Sequence, residues 1–148
     1  MPARHIPWIS PDEYLDQEQM SSTRHMYCAG VVTAMAGGSL AHGMLAMNPG
    51  SELRAALRGR GCRVVGSDVL FRTGSGEMYT YPDVMVLCGP VETVEGRPHV
   101  MTNPVFVAEV HRGVGSRRKV AGVSGHRVPA AVCGGFTGAA VGGDSHAG

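Results

Sequence analysis

The chain has 148 residues, of which 43% are hydrophobic and 17% charged, and its formal net charge is +1. A chain of this length is expected to form one domain around one core, and so small a net charge gives no field that by itself indicates a nucleic-acid partner. No run reaches the roughly 18 apolar residues of a membrane span, and the N-terminus lacks the apolar segment of a signal peptide. We therefore expect a cytoplasmic protein with no membrane partner.

The cysteines are spread singly along the chain, at Cys28, Cys62, Cys88 and Cys133. They form no C-x-x-C motif and no compact framework, so neither a zinc ribbon nor a disulfide-stapled secreted domain is indicated. We expect them to be reduced thiols.

The first helix has a clear start signal after a short arm at residues 1–9. Ser10 is a predicted N-cap, followed by a proline at the first helical position and by Glu13 three residues after the cap. Tyr14 and Leu15 are predicted to face the core. The acidic residues of this helix are interpreted as a solvated face near the positive end of the helix dipole rather than as site residues; they are Asp12, Glu13, Asp16 and Glu18.

Residues 24–35 hold β-branched and aromatic side chains around Gly30, a pattern that predicts either a two-strand hairpin or a bent strand. Ser39 then caps a helix that carries His42 near its start. An apolar stripe at helical spacing on this helix is interpreted as core, and His42 as a surface or satisfied histidine; the stripe is formed by Leu40, Met44 and Met47.

A helix break is predicted at residues 48–50, Asn-Pro-Gly, because proline removes a donor and disfavours helical geometry in the residue before it. Ser51 can cap a second helix. The basic residues that follow could contact phosphates, but they are interpreted as a solvated face; they are Arg54, Arg58, Arg60 and Arg63.

The second half of the predicted domain is rich in strands. Residues 62–72 and 78–88 predict a strand pair joined by a glycine-rich turn, with Asp68 facing outward. Residues 89–103 are predicted to be a loop or short insertion, after which the apolar strand at 104–110 begins. Helices together with several apolar strands predict a mixed α/β sandwich with a central sheet.

Two carboxylates stand alone in the apolar runs of this region. Asp83 occurs in YTYPDVMVLCGP and Glu109 in NPVFVAEV. A carboxylate in a buried strand is costly unless a group binds it, and two carboxylates at neighbouring strand ends can share a divalent metal such as Mg²⁺. This arrangement suits phosphodiester hydrolysis, so Asp83 and Glu109 are the candidate catalytic and metal-binding residues, although many sheets contain such a pattern by chance.

The ordered set of segments resembles one known family. WISPDEYLDQEQ, RHMYCAGVVTAMAGGSLAH, LRAALRGRGCRVVGSDVLFR, YTYPDVMVLCGP and NPVFVAEV together resemble the Uma2 family of endonucleases, a branch of the PD-(D/E)XK nuclease superfamily. The resemblance covers residues 8–110. It implies an α/β restriction-endonuclease-like fold, with a central mixed sheet flanked by helices, and Mg or Mn held by Asp83 and Glu109. It also places His42 near the site.

The chain departs from this family at several positions. Residues 25–31 lack the three acids of the family's H-E-Y-x-D-G-E segment, and methionine or valine cannot bind a hard cation. His111 and Lys119 follow Glu109 without the family's sequence context, so neither is assigned as the catalytic lysine. The predicted domain at residues 10–110 is therefore incomplete at its C-terminal end.

The tail at residues 111–148 is rich in glycine and is predicted to be disordered. Codons allowed for residues 121–133, read one nucleotide later, can spell A-Y-R-D-I-E-S-L-Q-Q-Y-V, which resembles the family's next helix and strand. We hypothesise that the chain is truncated or frameshifted after residue 110. The second reading frame of the gene tests this hypothesis.

Three functional hypotheses follow. The chain is a metal-dependent endonuclease that hydrolyses DNA and is impaired, or an inactive nuclease-like remnant, or a binding or structural domain in which Asp83 and Glu109 only end strands. The resemblance implies DNA as a partner and a possible homodimer.

Overall fold

The computed structural model describes residues 8–35, 37–73 and 76–110. The predicted arm up to residue 7 and the predicted tail at 111–148 lie outside these residues. The described part has a mixed α/β fold, as predicted, with two helices and two sheets. Neither helix is long and apolar enough to cross a membrane.

The helices are α1 (Pro11–Met20) and α2 (Leu40–Ala56). The strands are β1 (His25–Cys28), β2 (Val31–Ala34), β3 (Cys62–Gly66), β4 (Leu70–Arg72), β5 (Met78–Thr80), β6 (Val84–Cys88), β7 (Thr93–Val94), β8 (Arg97–Met101) and β9 (Phe106–Ala108). One sheet has the order β2-β1-β5-β4-β8-β7, in which β4 and β8 are parallel, and the other has the order β3-β6-β9.

Helix α1 begins with the predicted capping box. The Glu13 backbone N–H donates to Ser10 Oγ at 3.2 Å, and the Ser10 N–H donates to Glu13 Oε2 at 2.8 Å. Tyr14 and Leu15 are each only 1% exposed and join Tyr27 in the first core cluster. The Tyr14 hydroxyl donates to the His25 carbonyl at 2.7 Å, so the helix is fixed to the start of β1.

Strands β1 and β2 form a hairpin, which decides between the two structures that the sequence left open. Cys28 pairs with Val31 across a two-residue turn. Ala29 and Gly30 in this turn have φ angles of 45° and 91°, the positive values that a tight hairpin turn requires. Ile9 lies against the turn, since its N–H donates to the Gly30 carbonyl at 3.2 Å.

The predicted strand pair at residues 62–72 and 78–88 is present, but it divides between the two sheets. Its outer part pairs β3 with β6, and its inner part pairs β4 with β5. Pro82 lies at the division and has no N–H to continue a ladder. Asp68 faces outward, as predicted, and forms an ion pair with Arg24.

Residues 89–103, predicted to be a loop or short insertion, are not a loop but add two strands to the sheet. This segment contains the hairpin of β7 and β8, which turns at Gly96, whose φ is 71°. Strand β8 then pairs in parallel with β4 and buries Val100 completely. Only this pairing with a distant strand makes the segment part of the sheet.

The predicted break in α2 is also wrong. The helix continues through Pro49, which lies in its interior. A proline there costs about 3 kcal/mol, and the helix keeps its cap at Ser39, whose Oγ accepts from the His42 N–H.

The stripe on α2 that was predicted to be core is largely exposed. Leu40, Met44 and Met47 are 82%, 63% and 67% exposed. Helical spacing shows that one side of a helix is apolar, but it does not show that another element covers that side.

The prediction of reduced thiols is wrong, since no cysteine in the described residues is free. Cys62 and Cys88 form a disulfide, with an S–S distance of 2.04 Å. The two residues lie directly opposite each other where β3 pairs with β6. They are 26 residues apart in sequence, so only the strand register brings them together.

Candidate functional site

The antiparallel pairing of β6 with β9 brings the two predicted carboxylates together. Val84 pairs with Ala108, so Asp83, immediately before β6, lies opposite Glu109, immediately after β9. The sequence had suggested that Asp83 ends a strand. In the structure Asp83 instead lies immediately before the first residue of β6. The carboxylates meet because one strand starts where its antiparallel neighbour ends.

Both carboxylate oxygens of Asp83 have partners. The Val110 backbone N–H donates to Oδ2 at 2.7 Å. His42 Nε2 lies 3.0 Å from Oδ1. Asp83 is thus held at a fixed position, with its side chain only 15% exposed.

Glu109 is perturbed by this environment. Burial first, and then the charge and hydrogen bonding of the neighbouring Asp83, raise the pKa of Glu109 from 4.5 to about 8. Two carboxylates in contact resist double ionisation, because each charge destabilises the other. The pair therefore holds a proton near neutral pH unless a cation replaces it.

His42 belongs to this site, as the resemblance implied. It lies in the first turn of α2, where its backbone N–H donates to the capping Ser39 Oγ at 3.2 Å. Its imidazole is 26% exposed and contacts Asp83. The prediction of a satisfied histidine is confirmed, and its partner is a residue of the candidate site.

The site opens into a cleft of about 1440 Å³ between α2 and the strands. Asp83, His42 and Val110 line it, together with the exposed methionines of α2. Arg24 lines it as well, but Arg24 is ion-paired with Asp68 and donates to the Ser67 carbonyl at 2.7 Å.

A second polar cluster surrounds Glu18, which the sequence analysis had assigned to a solvated face. That assignment is wrong, since Glu18 is only 9% exposed. Its carboxylate accepts from the His25 N–H at 2.8 Å and from the Tyr81 hydroxyl at 3.0 Å, and lies 2.9 Å from His25 Nδ1. These partners offset the cost of burying a carboxylate. One sequence feature could have predicted this burial: Glu18 follows Leu15 by three residues and Tyr14 by four, which places it on the same side of the helix.

The carboxylate pair offers ligands of the kind that a hard divalent cation prefers. Asp83 and Glu109 supply two hard oxygen donors, and Mg²⁺ is commonly bound by one or two carboxylates together with waters and substrate phosphate. Within the described ranges, no three His, Cys, Asp or Glu side chains are grouped so as to hold a metal ion. The two carboxylates therefore fit Mg²⁺ or Mn²⁺ as partial ligands, and the described residues do not supply a complete set of protein ligands.

The fold is similar to that of a nuclease-like protein. A structure from Anabaena variabilis described as “a putative nuclease belonging to DUF820” has a TM-score of 0.52 and 14% sequence identity, and the match covers 66% of this chain and 57% of that chain. At this identity the similarity concerns the fold alone. It agrees with the restriction-endonuclease-like architecture expected from the sequence.

The family assignment comes from sequence. The model of the Uma2 family, described as “Putative restriction endonuclease”, matches residues 11–119, and the chain belongs to this family. It is 32% identical over 109 residues to the uncharacterized protein slr1290 of Synechocystis sp., and 30% identical over 102 residues to sll1609 of the same organism. These matches cover 74% and 69% of this chain but only 56% and 58% of the relatives.

Proposed function

We propose that this chain is a metal-binding nuclease domain that acts on DNA phosphodiester bonds, with Asp83 and Glu109 as the metal ligands, and that its activity is strongly impaired. The observation that carries the proposal is the pairing of these two carboxylates across β6 and β9 at the edge of an open cleft. The membership of the Uma2 family supports the same reaction class.

The residues of the site have separate tasks in this proposal. His42 and the Val110 N–H position the Asp83 carboxylate. Glu109 would be the second ligand and would hold the metal as a carboxylate, since a positive charge would offset its repulsion with Asp83. The bound metal would orient a water and offset the negative charge that develops at the phosphate.

The impairment follows from the residues that are missing. Met26 and Val31 stand in the segment where the resemblance expects acids, and neither can bind a hard cation. Lys119 is the one lysine of the chain, and it lies outside the described residues. A nuclease site of this type needs a further acid and a basic residue to activate water and stabilise negative charge.

Calorimetric titration with Mg²⁺ and Mn²⁺ tests the metal site. We expect the wild-type chain to bind the metal and Asp83→Ala to lose that binding, with Asp68→Ala as the control, because Asp68 is an exposed aspartate outside the carboxylate pair. The proposed metal site is refuted if the wild type binds no metal or if Asp83→Ala binds it equally well.

Cleavage of supercoiled plasmid tests the activity separately. We expect little or no nicking in Mg²⁺ by the wild-type chain. Robust nicking that disappears in Glu109→Ala would show that the site is active and would refute the proposed impairment.

The cytoplasmic location and the homodimer expected from the sequence stay predictions. Size-exclusion chromatography with light scattering tests the homodimer.

A second candidate is a binding or structural domain without a metal. It is favoured by the hydrogen bonding of Asp83, whose two oxygens already have protein partners. In that case the carboxylate pair joins α2 to the ends of β6 and β9. The metal titration distinguishes the two candidates, since only the nuclease domain requires Asp83-dependent binding.

A further inference from the structure

Four arginines form a surface that the proposed reaction does not use. Arg54 lies in the last turn of α2, Arg58 and Arg60 in the turns that follow, and Arg63 on β3. We call these four residues the arginine patch. All four are exposed.

The arginine patch differs from Arg24 and Arg97 in having no carboxylate partner within the described residues. Arg24 is paired with Asp68, and Arg97 with Asp16 at 2.7 Å. Within the described part of the chain, no ion pair involves a member of the patch. Arg54 and Arg58 lie four residues apart in sequence and carry like charges, which repel each other.

Three residues of the arginine patch lie around a hollow in the surface. Arg54, Arg58 and Arg63 line a hollow of about 470 Å³, whose lining in the described residues includes no acidic side chain. The disulfide at Cys62 borders the hollow and fixes the start of β3 against β6. The charges are therefore presented from a constrained turn between α2 and the sheet.

Arg54 connects this hollow to the candidate site. It lines both the hollow and the larger cleft that contains Asp83. A linear polyanion seated on the patch can thus continue past Arg54 into the cleft. Arginine suits such a ligand, since its guanidinium can donate two parallel hydrogen bonds to one phosphate.

We propose that the arginine patch binds the phosphodiester backbone of duplex DNA and directs the strand toward Asp83 and Glu109. This proposal rests on the proposed function, because it takes the same substrate. Contacts to phosphates carry no sequence information. The patch therefore supplies affinity and register rather than recognition of a base sequence.

Fluorescence anisotropy with a labelled DNA duplex tests the proposal on the full chain, in EDTA so that cleavage does not interfere. The salt dependence of binding is measured from about 50 to about 200 mM, where each phosphate contact contributes about 0.9 to the slope of log K against log salt. We expect Arg54→Gln and Arg58→Gln each to lower that slope by about 0.9, and the double variant by about 1.8.

Two controls separate charge at this surface from other effects. Arg97→Gln removes the same charge elsewhere and should leave the slope unchanged. Arg54→Lys/Arg58→Lys keeps both charges and should retain most of the slope. Circular dichroism melting of every variant verifies that the fold is intact.

The outcomes distinguish the patch from the proposed function. If the wild type binds the duplex and the glutamine variants bind with the same slope, or if Arg97→Gln lowers the slope equally, the patch proposal is overturned. If the wild type does not bind the duplex, the patch proposal is also overturned, while the Asp83-dependent metal titration decides the metal site by itself. If DNA binding depends on the patch but no metal binds, the patch proposal is supported and the proposed metal site is refuted.

Discussion

The stability of the fold should depend on pH through Glu109. Burial and the adjacent Asp83 raise the pKa of Glu109 from 4.5 to about 8 in the folded chain. Above its ordinary pKa, the unfolded chain releases this proton while the folded chain keeps it. The unfolded state then binds fewer protons, so the free energy of unfolding falls as the pH rises between these two values. This contribution is fully present below pH 4.5 and is lost as the pH passes through about 8.

The magnitude follows from the size of the shift. One pKa unit corresponds to about 1.4 kcal/mol, so the loss between about pH 5 and about pH 8 reaches about 4 kcal/mol. This is an upper figure, since Glu109 is only partly buried. It is still a large part of the roughly 5–15 kcal/mol that stabilises an ordinary domain.

Urea unfolding at a series of pH values, followed by circular dichroism, measures this effect. The perturbation is Glu109→Gln, which has nearly the same shape, keeps an amide donor for Asp83 and does not titrate. The difference in unfolding free energy between the variant and the wild type should rise with pH. All other residues are the same in both proteins, so contributions to the pH profile that do not involve Glu109 largely cancel in the difference. Parallel pH profiles would refute the coupling of Glu109 to Asp83.

The remaining predictions concern the metal, the helix and the disulfide. Mg²⁺ should raise the melting temperature more at about pH 8 than at about pH 5, because protons compete for the carboxylates at low pH; an equal rise at both would contradict a site at the pair. Pro49→Ala should stabilise the chain by up to about 3 kcal/mol in urea unfolding, since it restores a donor for the Leu45 carbonyl; a loss of stability would show that the proline is needed. Cys62→Ser/Cys88→Ser should lower the free energy of unfolding by up to about 3.5 kcal/mol, as a separation of 26 residues implies, and unchanged stability would contradict a constraint from this bond.

The candidate site was only partly predictable from the sequence. Asp83 and Glu109 were identifiable because each is an isolated carboxylate in an apolar run, and the resemblance to Uma2 assigned both to one site. The contact of Asp83 with His42 crosses 41 residues of sequence, and no local pattern specifies it. The raised pKa of Glu109 likewise depends on a neighbour supplied by another strand.

The sequence by itself determined the features that depend on residues a few positions apart. The capping box of Ser10 and Glu13 is of this kind, because its hydrogen bonds join residues only three positions apart.

The tertiary structure alone decided which elements cover one another. It placed Glu18 against Tyr81, joined Cys62 to Cys88 and left the methionine stripe of α2 exposed. The physical reason is that the cost of closing a long loop changes only slowly with its length, so spacing in sequence does not select one distant partner over another. Strand register makes that selection, and it also brings Asp83 and Glu109 into contact.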